Sequence, residues 1–169
     1  SSLGYFPGVP LGPEAPTLDP KDVVDLADRI EEAMQLHRTG HFDEAIAMAD
    51  AILLRNPNNV RALSLRGQAL LAKKRYREAV VAFGEVVRMT PTIAVNRWDL
   101  GSSLAGAGET AKAEAEWRKA IELEPRLAEP YASLIASYRG RGETAKALAV
   151  AKEAAASGAE TAELEFEIG

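Results

Sequence analysis

The chain has only two histidines, and both lie close to acidic residues. His37 and His41 precede Asp43 and Glu44, and histidine beside carboxylates is a combination found in zinc sites and hydrolytic centres. Such a site needs both imidazoles on one helix face, but Gly40 interrupts the helix between them. We therefore interpret these residues as parts of a turn and predict no metal site here.

A second candidate for chemistry is the glycine-rich stretch 101–108, Gly-Ser-Ser-Leu-Ala-Gly-Ala-Gly. Glycine-rich loops cradle phosphate groups, but the phosphate-binding motif requires a following lysine, which this stretch lacks. No nucleophile–histidine–carboxylate order, carboxylate pair or cofactor fingerprint is present. The chain also has no cysteine, which excludes thiol catalysis, disulfides and cysteine-ligated metals. The sequence therefore predicts a non-catalytic segment without a cofactor.

Composition and charge narrow the possible partners. The 169 residues are 47% hydrophobic and 27% charged, which suits one domain with its own core. No run reaches the roughly 18 apolar residues of a membrane span. The net charge of −5 argues against a nucleic-acid partner. Residues 55–97, however, hold nine basic and two acidic side chains; this basic belt either attracts an acidic partner or is a solvated helix end.

A period of 34 residues organises the chain. Pro57, Pro91 and Pro125 recur at this spacing. The same spacing relates four alanines, Ala45, Ala79, Ala113 and Ala147, and three glycines, Gly40, Gly108 and Gly142, with Lys74 in the missing glycine position. A 34-residue unit of helix, turn, helix and proline is typical of tetratricopeptide repeats. In these positions the chain resembles the tetratricopeptide-repeat family.

The resemblance implies an all-α fold, a right-handed α-solenoid of antiparallel helix pairs. Residues 20–161 would form four repeats, at about 26–59, 60–93, 94–127 and 128–161. Residues 162–169 are predicted as a C-terminal helix, either a plain tail or the start of a truncated fifth repeat. Residues 1–19 contain Pro7, Pro10, Pro13 and Pro16, so we expect an extended segment or an interdomain linker.

Recurrent positions within the repeat have a physical reason. Gly67, Gly101 and the four recurrent alanines are predicted where the two helices of a repeat cross closely. Phe83 and Trp117 share one position of the second helix and are predicted to wedge between neighbours. Repeat 4 departs from this pattern, since Ala151 occupies the position of the two aromatic residues.

Proteins of this family bind peptides on a concave face that the first helix of each repeat lines. The resemblance therefore assigns partner binding to one residue set: Met34, His37, Arg38, Arg61, Ser64, Gln68, Leu71, Val95, Trp98, Asp99, Ser102, Ala136 and Arg139. Ile30 and Glu129 fall beside them. Trp98 is the favoured anchor because tryptophan is typical of binding hot spots; the alternative is that Trp98 packs in the core.

Chaperone-binding members of the family hold a C-terminal carboxylate with lysine, asparagine and arginine side chains. The matching positions in this chain carry other residues, namely Ile30, Met34, Leu65, Val95 and Asp99. We therefore predict that this chain does not bind chaperone tails.

The N-terminal segment has a resemblance of its own. Leu3-Gly4-Tyr5, a Pro/Gly-rich spacer and Asp19-Pro20-Lys21-Asp22 are similar to the junction in bacterial sulfatase-like proteins that carry C-terminal tetratricopeptide repeats. That resemblance implies a bacterial protein, cytoplasmic or exported to the envelope. We also expect Tyr5 and Phe6 to anchor this segment on a surface of the solenoid.

These observations predict a non-catalytic protein-interaction module that binds a peptide or partner protein in the concave groove. Two alternatives stay open. The solenoid is either an accessory domain of a sulfatase-like hydrolase, or a structural scaffold that self-associates through its uncapped C-terminal end.

Overall fold

The computed structural model describes residues 20–159. The predicted linker with Tyr5 and Phe6, the C-terminal helix 162–169 and the contacts expected of both lie outside these residues. The described chain forms eight α-helices. They are α1 (Pro20–Arg38), α2 (Phe42–Arg55), α3 (Val60–Ala72), α4 (Tyr76–Met89), α5 (Ala94–Gly106), α6 (Thr110–Leu123), α7 (Ala128–Gly140) and α8 (Thr144–Ser157).

The helices pair in the register that the period predicts. Helices α2, α4, α6 and α8 begin at residues 42, 76, 110 and 144, one period apart, and each packs on the helix before it. We call α1, α3, α5 and α7 the A helices and the other four the B helices. Consecutive A helices contact one another, whereas no two B helices do so in the described part of the chain. The A helices therefore line the inner face of a curved α-solenoid, which confirms the predicted fold class.

Glycine and proline set the helix ends. Gly40, Gly108 and Gly142 adopt φ values of 83°, 83° and 73° between the helices of a repeat, a left-handed conformation that other residues avoid. Helices α2, α4 and α6 each end two residues before a proline of the repeat. In repeat 2, Lys74 takes the glycine position with a φ of 59°.

Replacing Lys74 by glycine is expected to stabilise the protein by about 0.5–1 kcal/mol. A side chain in the left-handed region is strained by about 1–3 kcal/mol, and the greater freedom of glycine in the unfolded chain offsets part of the gain. Urea unfolding measures the difference. Lys74→Ala is the matched control, since alanine keeps the strained Cβ. An equal effect of the two substitutions would contradict the strain.

In repeats 2 and 3, the two helices cross at one large and one small residue. A Cβ at Gly67 would lie 2.6 Å from Phe83 Cε2, and a Cβ at Gly101 would lie 2.5 Å from Trp117 Cδ1. These distances confirm the predicted close crossing, because real Cβ atoms do not approach other atoms so closely.

In repeat 4, the large residue at this crossing lies on the A helix and the small one on the B helix. Ile135 occupies the glycine position and Ala151 the aromatic one, and both are buried in a core cluster that also contains Trp117. The volume that the B helix gives up is thus supplied by the A helix, which explains why repeat 4 tolerates alanine at position 151.

Candidate functional site

The residues predicted to bind a partner all lie on the A helices. Six are half-buried, Met34, His37, Ser64, Leu71, Trp98 and Ser102, and six are exposed, Arg38, Arg61, Gln68, Val95, Ala136 and Arg139. Asp99 differs from these, because its side chain is buried. Ile30, beside the set, is buried as well. Asp99 and Ile30 therefore present little surface to a partner in this conformation.

An open groove lies between α5 and α7. Most of its lining consists of small and polar side chains, and α6 contributes Thr110 and Trp117. The other lining residues are Ser102, Ala105, Ser133, Ala136, Ser137, Gly140 and Arg141. Ser102 and Ala136 were predicted from the sequence, whereas the serines of α7 and Arg141 were not. The period gives a signal for Ser133, since it occupies the position of Asp99 one repeat later.

Trp98 forms part of the wall between repeats 3 and 4. Its indole Nε1 donates a hydrogen bond of 2.9 Å to Ser133 Oγ, and that hydroxyl donates to the backbone oxygen of Glu129. The ring packs against the core cluster of repeats 3 and 4 and is half-buried. Trp98 therefore contacts the core on one side and keeps some accessible surface, and its role as a binding anchor stays a prediction.

Asp99 is a buried carboxyl group on the inner wall of α5. Only 6% of its surface is exposed, and this burial raises its pKa to about 7, while a hydrogen bond from Gln68 lowers it. Burial raises a carboxyl pKa because the charged form loses its hydration. Gln68 lies on the neighbouring α3, is itself exposed and is a neutral side chain.

Ion pairs neutralise most of the basic belt. Lys73 pairs with Asp43, and Arg75 pairs with Glu78 at 2.6 Å. Further along the belt, Arg66 pairs with Asp50, Arg88 with Glu85 and Arg97 with Glu116. The belt therefore offers an acidic partner much less free charge than its sequence suggests, and the solvated-helix-end interpretation fits it better.

The other candidates for chemistry have structural roles. The ring of His37 packs edge-on against Phe42 at 5.4 Å between centroids, and Nδ1 of His41 lies 2.9 Å from Thr39 Oγ1. Within residues 20–159, no three histidine, aspartate or glutamate side chains are grouped to hold a metal ion. In the glycine-rich stretch, Gly101 faces Trp117 and a Cβ at Gly106 would collide with Tyr76, so packing explains these glycines.

None of the eight described helices combines the length and the apolar character that a membrane span requires.

The fold and the groove define the class of protein, an α-solenoid of helix pairs with an open inner face. The family model described as tetratricopeptide repeat matches residues 30–92. A curated relative, the Hsp70-Hsp90 organizing protein of Triticum aestivum, is 34% identical over 97 residues. That match covers 57% of this chain but 15% of the relative, so most of the relative has no counterpart here.

Solved structures give the same fold. MamA from Desulfovibrio magneticus RS-1, residues 41 to the end, superposes with a TM-score of 0.73 at 22% identity over 84% of this chain and 76% of its own. An O-GlcNAc transferase from Thermobaculum terrenum superposes with a TM-score of 0.67 at 21% identity, over 72% of this chain and 23% of its own. These superpositions show the α-solenoid fold, and the tetratricopeptide-repeat model matches less than half of the chain. The junction that resembles sulfatase-like proteins lies outside the family match.

Proposed function

We propose that this solenoid is a non-catalytic binding module that holds a peptide, or an extended segment of a partner protein, along its inner face. The observation that carries the proposal is the open groove between α5 and α7, which is lined by small and polar side chains. Small side chains leave room for a ligand backbone, and serine hydroxyls offer it hydrogen bonds.

The wall beside this groove favours binding because it is already ordered. The hydrogen bond from Trp98 to Ser133 fixes an indole that otherwise loses rotational freedom when a ligand arrives. A preordered side chain lowers the entropy lost on binding. Tryptophan also supplies a large contact area for each residue involved.

The comparisons support protein as the class of ligand. The name of the wheat relative describes an organiser of two other proteins. For this chain we extend only the general property of binding another protein. The residue set that holds chaperone tails is absent from the matching positions, so we do not extend the partner itself. A similar solenoid makes up 23% of the O-GlcNAc transferase chain, which is compatible with an accessory role in a longer parent protein.

A bulky neutral residue in the groove tests the proposal. Peptides are first selected from a random displayed library against the wild-type protein, and their dissociation constants are measured. Ala136→Tyr fills exposed space on α7, and we expect it to weaken binding at least about tenfold, or ~1.4 kcal/mol. The matched control is Ala115→Tyr, at an exposed alanine of the B helix α6, which should bind as the wild type does.

Either of two results would refute the groove as the binding site. The first is failure of the folded wild-type protein to enrich any peptide from the library. The second is equal affinity of Ala136→Tyr and the wild type for the enriched peptides.

A further inference from the structure

Asp99 is exceptional among the acidic side chains that the structure describes. The five half-buried ones all have a cationic partner: Asp50 pairs with Arg66, Glu109 with Lys112, Glu114 with Arg141, Glu116 with Arg97 and Glu143 with Lys146. Asp99 is more deeply buried than any of these, yet within residues 20–159 it forms no ion pair and its side-chain partner is the neutral Gln68. A buried carboxylate without a cation is unfavourable.

Packing of the solenoid does not require a carboxyl group at this position. The same position of repeat 2 holds Leu65, which is 5% exposed, and the same position of repeat 4 holds Ser133. Burial of leucine at this site is favourable because its side chain is apolar, whereas a carboxylate loses favourable hydration there. The carboxyl of Asp99 is thus unfavourable for folding, and packing does not explain its presence.

The carboxyl group of Asp99 is within reach of the inner face. The Gln68 side chain, which lowers the pKa of this carboxyl as a hydrogen-bond donor, belongs to an exposed residue of α3. An entering cationic group can replace this amide and donate to the carboxylate in its place. On the same helix, the neighbours Trp98 and Ser102 are partly accessible, which places Asp99 beside the surface proposed to hold the ligand.

We propose that Asp99 forms a subsite for one lysine or arginine side chain of the bound segment. The subsite rests on the proposed function, since it recognises a residue of a ligand that lies along the same inner face. The cation supplies the missing partner, and its hydrogen bond to the carboxylate is of the charge-assisted kind, which is stronger than a neutral one.

A double-mutant cycle tests the subsite with peptides that the wild-type protein selects. Each lysine and arginine of a selected peptide is replaced in turn by norleucine, and dissociation constants are measured for wild type and Asp99→Asn. We expect one replacement to weaken binding to the wild type about tenfold or more, and to change binding to Asp99→Asn by less than about twofold.

Two further variants make the result specific. Glu122→Gln removes the same charge from an exposed position of α6. It should bind the selected peptide and its norleucine derivative with the affinities that the wild type shows. Asp99→Leu copies Leu65 of repeat 2 and secures a folded protein without the carboxyl group. It should show the same insensitivity to the replacement as Asp99→Asn.

The outcomes separate this inference from the proposed function. One outcome would overturn the subsite alone: Ala136→Tyr weakens binding of the selected peptides, but no replacement of a lysine or arginine in them does. A basic residue that contributes equally to binding by the wild type and Asp99→Asn would do the same. Binding that Ala136→Tyr does not weaken would instead refute the groove.

Discussion

Phe83→Ala should lower the free energy of unfolding by about 3–5 kcal/mol, and adding Gly67→Ile should restore a large part of that loss. The ring of Phe83 is fully buried and fills the space above Gly67, so alanine leaves a cavity at the centre of repeat 2. Repeat 4 fills the equivalent space from the opposite helix, with Ile135 and Ala151. The double variant copies that arrangement.

Gly67→Ile alone should also destabilise the protein, because its Cβ would lie 2.6 Å from the ring of Phe83. Overpacking of this kind lowers the free energy of unfolding by roughly 1–3 kcal/mol. The coupling between the two substitutions should be favourable by about 2 kcal/mol or more. Urea unfolding of the wild type, both single variants and the double variant measures this coupling. Additive effects would show that the two positions do not exchange volume.

Asp99→Asn should abolish a pH dependence of stability that the wild type shows. The folded-state pKa of Asp99 is about 7, raised from the ordinary 3.8 by burial. Below pH 3.8 the carboxyl is protonated in both states and has no effect. As the pH rises towards 7 the unfolded chain loses the proton while the folded chain keeps it, so stability falls; above 7 the loss is constant.

The expected size of this effect follows from the width of the pH window. Between pH 5 and pH 8 the wild type should lose about 2–3 kcal/mol relative to Asp99→Asn, because one pKa unit corresponds to about 1.4 kcal/mol. Unfolding both proteins at each pH cancels the contribution of the other titratable groups. A difference in stability that stays constant from pH 5 to pH 8 would mean that Asp99 is ionised in the folded protein.

The sequence was sufficient to predict the fold because its signals are local and recur. Glycine in the left-handed turn and proline after the B helix act within a few residues of their own position, and each is repeated at the same spacing. Lys74 shows the strength of this pattern, since it adopts a left-handed φ of 59° where the other repeats have glycine. Only one half of the exchange in repeat 4 was identified from the sequence, the missing aromatic residue at Ala151. Ile135 was not identified as the residue that fills the space.

Contacts of the candidate site were harder to predict because they join side chains from different repeats. Trp98 and Ser133 are 35 residues apart, and Lys73 and Asp43 are 30 residues apart. Such pairs depend on the curvature of the solenoid and on the rotamers of long side chains, neither of which the repeat pattern specifies. Burial of Asp99 was missed for the same reason, since its position suggested an exposed residue of the groove.

Chemical-shift mapping tests the central claim, that the inner face of the solenoid binds the ligand, most directly. A peptide selected by the wild-type protein is titrated into the ¹⁵N-labelled protein, and backbone amide shifts are followed residue by residue. The account predicts the largest changes in α3, α5 and α7, around Gln68, Trp98 and Ala136. Largest changes in the B helices α2, α4 and α8 would contradict it.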